Sequence, residues 1–252
     1  MDLGISGRRA AVAAATAGLG YACAEALVAE GVQVTICGSD PGRAEAAAQR
    51  LGGQTGWTVA DLTAPAAAEQ FVADAAAAMG GVDILVVNGP GPAPGTVLQT
   101  PVEAYQEALN RSLLGVVAMC TAAVGGMRDR GWGRIVAVTS LGVRQPYPNL
   151  ALSNTARAGA TGFLRTLARE VAPDGVTVNS VQPGLHATER VRQVYGGDGS
   201  DALAGALSTV PAGQLGEPGG LGALVAFLCS QPAAYLTGAA IPVDGGAYQA
   251  LL

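Results

Sequence analysis

Short apolar runs recur along this chain with Ala-rich segments between them, and that alternation restricts the fold more than any other feature. The runs fall at 8–13, 32–37, 57–60, 83–87, 134–139, 176–181 and 239–243. The run before Ser140 has no polar alternation, which suits a strand covered on both faces. The intervening segments at 21–30, 41–51, 65–79, 101 to about 130, about 150–172 and 218–229 read as helices. In the fifth of these, Ala156, Ala160, Phe163, Leu164, Leu167 and Val171 repeat at helical spacing. Strands alternating with helices predict an α/β fold, a Rossmann-like doubly wound parallel sheet of about seven strands with right-handed crossovers. No linker or long internal repeat breaks the chain, so one domain is expected over 1–252. The polar, glycine-bearing segment at about 186–212 reads as irregular, and is the candidate for a substrate lid.

Composition narrows the function. Half the 252 residues are hydrophobic, 13% are charged and 4% are aromatic, so small side chains must do much of the packing. The formal net charge is −5 and no basic stripe appears, which argues against a nucleic-acid partner. Cys23, Cys37, Cys120 and Cys229 are scattered, without a CxxC pair, and read as buried core residues of a reducing, cytoplasmic protein. A single histidine makes a His-based zinc site improbable, and no metal is expected. The stretch SGRRAAVAAATAGLG has the look of a twin-arginine export signal. Its apolar part is short, however, and Gly18 and Gly20 sit where a strand would turn into a helix. No other run reads as long and apolar enough to span a bilayer, so no membrane association is expected.

A doubly wound sheet binds ligands beyond the C-terminal ends of its strands. The first such end is Ala13-Ala14-Ala15-Thr16-Ala17-Gly18-Leu19-Gly20. Glycines there would let backbone approach a pyrophosphate, and a helix N-terminus would supply free N–H groups. Asp61-Leu62 follows the third run; the carboxylate could accept an adenine amino group or cap the next helix. Asn88-Gly89 follows the fourth run and Pro183-Gly184 the sixth. Ser140 ends the fifth, and Ser153 and Arg157 follow on one helical face. His186 is a possible proton donor, although an exposed loop histidine is the plainer reading. For Tyr147, packing against Pro146 and Pro148 is the plainer reading.

These residues resemble the short-chain dehydrogenases/reductases over nearly the whole chain. The family's TGxxxGxG motif is in register with Ala14 to Gly20, with Ala14 replacing its first glycine. DILVVNGPG at 83–91 resembles DILVNNAG, VNSVQPG at 178–184 resembles VN-x-x-x-PG, and YLTGAAIPVDGG resembles the family's closing segment. The resemblance implies a nicotinamide cofactor, with Thr188 at the nicotinamide carboxamide. Gly38-Ser39-Asp40 lacks the acid of NAD-preferring members after the second strand. A neutral Ser39 with Arg43 nearby leans toward a 2′-phosphate, although Arg43 as a solvated helix residue is an equal reading. NADP(H) is therefore expected over NAD(H).

The catalytic positions depart from the family. Members carry Ser, then Tyr thirteen residues on, then Lys four later; here the order is Ser140, Ser153 and Arg157. Ser112 stands where the family has a helical Asn. A tyrosine phenol with a nearby ammonium is a usable acid, whereas a serine hydroxyl is far weaker and arginine cannot donate its proton at ordinary pH. The resemblance implies a ketoreductase-like oxidoreductase moving hydride between nicotinamide and a small carbonyl or alcohol substrate. Ser140 would hold the substrate oxygen, Ser153 would bond it or relay a proton, and Arg157 would hold ribose and favour oxyanion charge. Alternatives are a dehydratase, cyclase or isomerase, or a catalytically silent partner subunit. Family members usually form tetramers through helices around 101–130 and 150–172, so a homotetramer or homodimer is expected.

Overall fold

The structure is a computed structural model and is described over residues 1–251. Seven parallel strands form one sheet in the order β3-β2-β1-β4-β5-β6-β7. They are β1 (Arg9–Val12), β2 (Gln33–Gly38), β3 (Gly56–Val59), β4 (Ile84–Val87), β5 (Gly133–Val138), β6 (Val176–Pro183) and β7 (Ala240–Val243). The strand order reverses between β1 and β4, which pair from Ala10–Ile84 to Val12–Val86. In such a sheet the reversal opens a crevice at the strand ends. Expected and observed strands agree to within a residue or so at each end, and the parallel α/β architecture is as read.

The helices are α1 (Gly18–Ala29), α2 (Pro41–Leu51), α3 (Pro65–Met79), α4 (Val102–Leu109), α5 (Gly115–Asp129), α6 (Ala151–Val171), α7 (Glu189–Tyr195), α8 (Asp201–Leu207) and α9 (Pro218–Leu228). One core layer joins Leu27, Ile36, Val86, Leu221 and Val225 beneath α1, α2 and α9. The other joins Phe71, Leu85, Met119, Ile135 and Leu164 beneath α3, α5 and α6. Small residues let backbones meet. At Gly222 of α9, any Cβ would run into the carbonyl oxygen of Ala22 in α1. The four cysteines are buried and unpaired, as read, and burial pushes the Cys23, Cys37 and Cys120 thiols up to about 12.

Two expectations fail here. The segment 186–212 is not irregular, because α7 and α8 lie within it. Thr188 Oγ1 accepts from Val191 N at 3.4 Å and Ser200 Oγ from Leu203 N at 3.2 Å. Those side chains take up first-turn N–H groups that a seven-residue helix cannot satisfy internally. The second concerns the run from Val102 to Asp129. It is continuous through a π-helical turn at Asn110–Leu114, and its most apolar window has a mean hydropathy of 1.4. By length and composition it could cross a bilayer. In this fold Met119, Cys120, Ala123 and Met127 turn inward, and 39% of the window is buried.

An ion cluster closes the other end of the sheet. Asp83, just before β4, accepts from Arg9 Nε at 2.8 Å and Nη2 at 2.7 Å, and from Arg130 Nε at 3.1 Å. Burial works against its charge, but the Arg9 hydrogen bonds and charge, with Arg130 behind them, hold its carboxyl below the usual range. A carboxyl depressed on folding stabilises fully above its unfolded value, and that contribution disappears as pH falls through the folded value. Asp83→Asn should therefore lower stability at neutral pH and flatten the fall in stability below about pH 4. Urea unfolding between pH 2 and 7 measures both effects; parallel curves for the two proteins would contradict this role.

Candidate active site

The turn from β1 into α1 is unusually tight. Ala14 adopts φ 48°, a left-handed backbone that a side chain disfavours. The turn is tied down on every side. Ala13 N donates to Val86 O at 3.0 Å, Ala15 N to Cys37 O at 3.0 Å, and Asn88 Nδ2 to Ala14 O at 3.1 Å. Asn88 therefore brackets β4 to the glycine-rich turn. Gly20 belongs to the same bracket: a Cβ there would lie 2.5 Å from Ala14 O and 2.6 Å from Asn88 Nδ2. Gly20 does not line the cleft described next, contrary to its expected ligand contact. Its role is the close approach of α1 to the sheet.

Beyond the strand ends lies a cleft of about 580 Å³, within the range of small-molecule sites. Ala14, Thr16, Ala17, Gly18 and Leu19 line it at the start of α1. Ser39, Arg43, Asp61 and Leu62 line one end. Asn88 and Gly89, after the central strand β4, line it as well, as do Pro183, Gly184 and Thr188 at and beyond the end of β6. Ser140, Ser153, Arg157 and His186 line it too. The expected residues thus share one cavity, with Gly20 and Ser112 excepted. Ser112 is buried in the π-helical turn and borders a separate cavity of about 20 Å³, alongside Arg157, Thr139 and Asn88. Arg157 lines both spaces.

Several side chains around the cleft have partners of their own. Asp40 Oδ1 accepts from Arg43 N at 2.7 Å as the N-cap of α2, so this carboxylate is engaged with backbone. Asp61 caps no helix; it accepts from Thr63 N at 3.0 Å in a local turn, and Ala64 holds the N-cap position of α3. That hydrogen bond, foremost, lowers the Asp61 carboxyl below its ordinary value. His186 is buried at 3% exposure, not exposed. Its Nδ1 lies 3.3 Å from Gly184 O, and a Cβ at Gly216 would meet its Nε2 at 2.9 Å. Burial lowers its pKa from the ordinary value, only partly offset by the Gly184 carbonyl. The neutral imidazole is therefore favoured at physiological pH, which weakens it as a proton donor.

Ser140 Oγ accepts from Gly142 N at 3.0 Å, capping a 3-10 turn, and its hydroxyl proton stays available. Ser153 is the third residue of α6. It is 9% exposed, and among the described residues its hydroxyl has no hydrogen-bond partner. Arg157 Nη1 donates to Val138 O at 2.9 Å and Thr139 O at 2.7 Å, and Nη2 lies 3.5 Å from Gly89 O. Burial, with the Arg190 charge behind it, pulls this guanidinium down to about 10, so it remains a cation at neutral pH. Tyr147 and Tyr195 also line the cleft, and the second was not singled out from sequence. Desolvation pushes Tyr147 up to about 12 and raises Tyr195 as well. Arg190 is another unanticipated wall residue; no motif marks it.

A glycine-rich turn at a sheet crossover, sharing one cleft with a serine just beyond β5, is the arrangement of a Rossmann-like dinucleotide-binding fold. A family model described as Enoyl-(Acyl carrier protein) reductase matches residues 13–248. The 3-oxoacyl-(acyl-carrier-protein) reductase FabG of Escherichia coli is 34% identical over 246 residues, covering 98% of this chain and 99% of the relative. Human dehydrogenase/reductase SDR family member 4 is 31% identical over 247 residues, covering 96% and 88%. Among solved structures, L-sorbose reductase of Gluconobacter frateurii, in complex with NADPH and L-sorbose, superposes with a TM-score of 0.92 at 30% identity and full coverage of both chains. The chain belongs to the short-chain dehydrogenase/reductase family of NAD(P)-dependent oxidoreductases.

Ala14 yields a direct test. A left-handed alanine costs about 1–2 kcal/mol, and glycine gives back part of that gain through its greater unfolded-state freedom. Ala14→Gly should therefore stabilise the protein by about 0.5–1 kcal/mol, the reverse of the usual sign for this exchange. Chemical denaturation of the two proteins measures it, and a loss of stability would refute the strain.

Proposed function

We propose that the protein is an NADP(H)-preferring reductase that moves hydride between nicotinamide and a small carbonyl or alcohol carbon. The observation that carries this reading is the single cleft running from Ser39 and Arg43, past Gly18, to Ser140 and Ser153. The adenosine end favours a 2′-phosphate. Ser39 is neutral, Arg43 is at hand, and Asp40 is engaged as a helix cap. At Gly38 there is no side chain to meet the ribose, and any Cβ would run into the Thr16 methyl, so an acid there would require Thr16 to turn aside. The NADPH complex of the related sorbose reductase is in keeping with this preference.

When bound, the cofactor supplies the hydride. Thr188 and the Pro183-Gly184 turn hold its nicotinamide end, and Asn88-Gly89 its middle. Ser140 donates a hydrogen bond to the substrate oxygen and keeps its proton. Ser153, with an uncommitted hydroxyl, donates a second hydrogen bond there and passes on a proton from water. Arg157 acts mainly as a fixed positive charge that favours the alkoxide. Its Nη1 is committed to backbone, so only the remaining N–H groups can reach ribose. Ser112 acts from behind Arg157. His186, held neutral, shapes the nicotinamide pocket. The region 186–212, with its two short helices, closes over substrate as a lid on one domain. The exposed Val102 and Leu114 on the run from α4 into α5 fit a homotetrameric or homodimeric face.

A second reading has its own support. Tyr147 lies high at about 12, Tyr195 is raised and His186 is lowered, so none of the three is poised as an acid near neutral pH. With Ser153 and Arg157 standing where the family has Tyr and Lys, non-redox chemistry or a silent subunit is the alternative. Fluorescence titration with NADPH and NADH, then assay over a panel of ketones, separates the readings. NADPH is expected to bind at least about tenfold more tightly, and Arg43→Ala should remove that preference. Ser153→Ala should lower kcat by about 10- to 100-fold. Binding without any turnover would favour the second reading; full activity in Ser153→Ala would remove Ser153 from the mechanism.

A further inference from the structure

The walls of the cleft carry an unbalanced positive charge. Arg190, on α7, crosses to the loop after β4, where its Nη2 donates to Pro92 O at 2.7 Å. Arg157 approaches the same loop from α6 at Gly89 O, and Arg111 approaches it at Gly91 O, each at 3.5 Å. Three guanidiniums therefore surround the four residues Gly89–Pro92. Arg111 has an acid beside it, Glu107 Oε1 at 2.7 Å. Among the described residues, neither Arg157 nor Arg190 has a carboxylate within ion-pair distance. Two acids do line the cleft, Asp61 at its far end and Glu189 beside Arg190. Glu189 lies 3.9 Å from Arg192 and is largely exposed.

Burying like charges together is unfavourable unless something offsets it. The backbone carbonyls of Val138, Thr139, Gly89 and Pro92 offset part of it. They use one nitrogen of Arg190 and chiefly one of Arg157, which leaves N–H groups on both. Burial and the Arg111 charge lower Arg190, just as burial and Arg190 lower Arg157. Arg157 and Arg190 thus each sense another cation, and among the described residues neither is ion-paired with an acid of the chain. An oxyanion that brings two oxygens into the cleft would relieve that repulsion and accept forked hydrogen bonds.

We propose that Arg190, with Arg157 behind it, forms an anion seat in the cleft wall for a phosphoryl or carboxylate group. The group is either a phosphate of the cofactor or an acid group on the substrate. The identity of the cleft's ligands rests on the nucleotide-and-carbonyl reading above; the seat itself does not. Arg190 also joins the lid helix to the loop after β4, so an anion held there would strengthen the tie across the cleft.

The test compares wild type with Arg190→Gln and Arg190→Met, two variants so that misfolding of one is not decisive. The first arm needs no hydride transfer: thermal unfolding with sodium pyrophosphate and with sodium acetoacetate. Wild type should be stabilised by at least one of them, and both variants should lose that shift. Non-specific salt effects act equally on all three proteins and cancel in the comparison. The second arm measures NADPH affinity, and then KM for a 3-oxo acid and its methyl ester with NADPH saturating. Loss of a charge-assisted contact should cost about 10- to 100-fold. If the anion is a cofactor phosphate, that loss appears in NADPH binding. If it is the substrate's acid group, the loss appears in KM for the acid, and the ester is unaffected. Wild type unmoved by both anions, or variants shifted as much as wild type, would overturn the seat. Anion shifts lost in the variants of a protein that binds no NADPH would uphold the seat and overturn the reductase reading instead.

Discussion

The hydrogen bonds of Arg157 to the end of β5 govern this active site. A guanidinium is flat and carries five donors, so it can bond to successive carbonyls and still face a cavity. Here one nitrogen bonds both Val138 and Thr139, and another points to Gly89 after β4. The arginine thereby joins two adjacent strand ends at the point where Ser140 leaves the sheet. A lysine could supply a point charge but not this fork. The price is a cation largely shielded from water with no carboxylate beside it. Ser153 stands four residues before Arg157 on α6, and both line the same cleft.

The bracket at the first turn has a similar character. Asn88, Ala14 and Gly20 form a three-way contact that fixes how α1 meets the sheet. The alanine bears strain that glycine would avoid, and the surrounding hydrogen bonds hold it there. Strain of this kind persists where neighbouring structure over-determines the backbone. The turn also sets the mouth of the cleft, so local cost and ligand access share the same few residues.

Much of the architecture was legible because it follows from periodicity. Unalternating apolar runs such as 134–139 mark strands covered on both faces, and the sheet order follows from parallel crossovers. The residues of the cleft were legible for a related reason: in such a sheet the strand ends must share one rim. What escaped was set by side-chain direction, which chain position does not encode. Gly20 and Thr16 sit in the same turn, yet one packs inward and the other lines the cleft. His186 reads as a loop residue, and only the folded chain buries it against Gly216. Arg190 follows no motif, because reaching Pro92 depends on how α7 lies over the loop after β4. The helices α7 and α8 were detectable from Thr188 and Ser200 as caps, but glycines at 196, 197 and 199 obscured them.

The four sequestered thiols have a practical consequence. Thiolate is the species that maleimides and peroxides attack, and none of these sulfurs is accessible or readily ionised in the folded state. The native protein is thus a silent background for covalent labelling. A single cysteine engineered on the rim would be the sole reactive handle, and a fluorophore there could report closure of the cleft in real time.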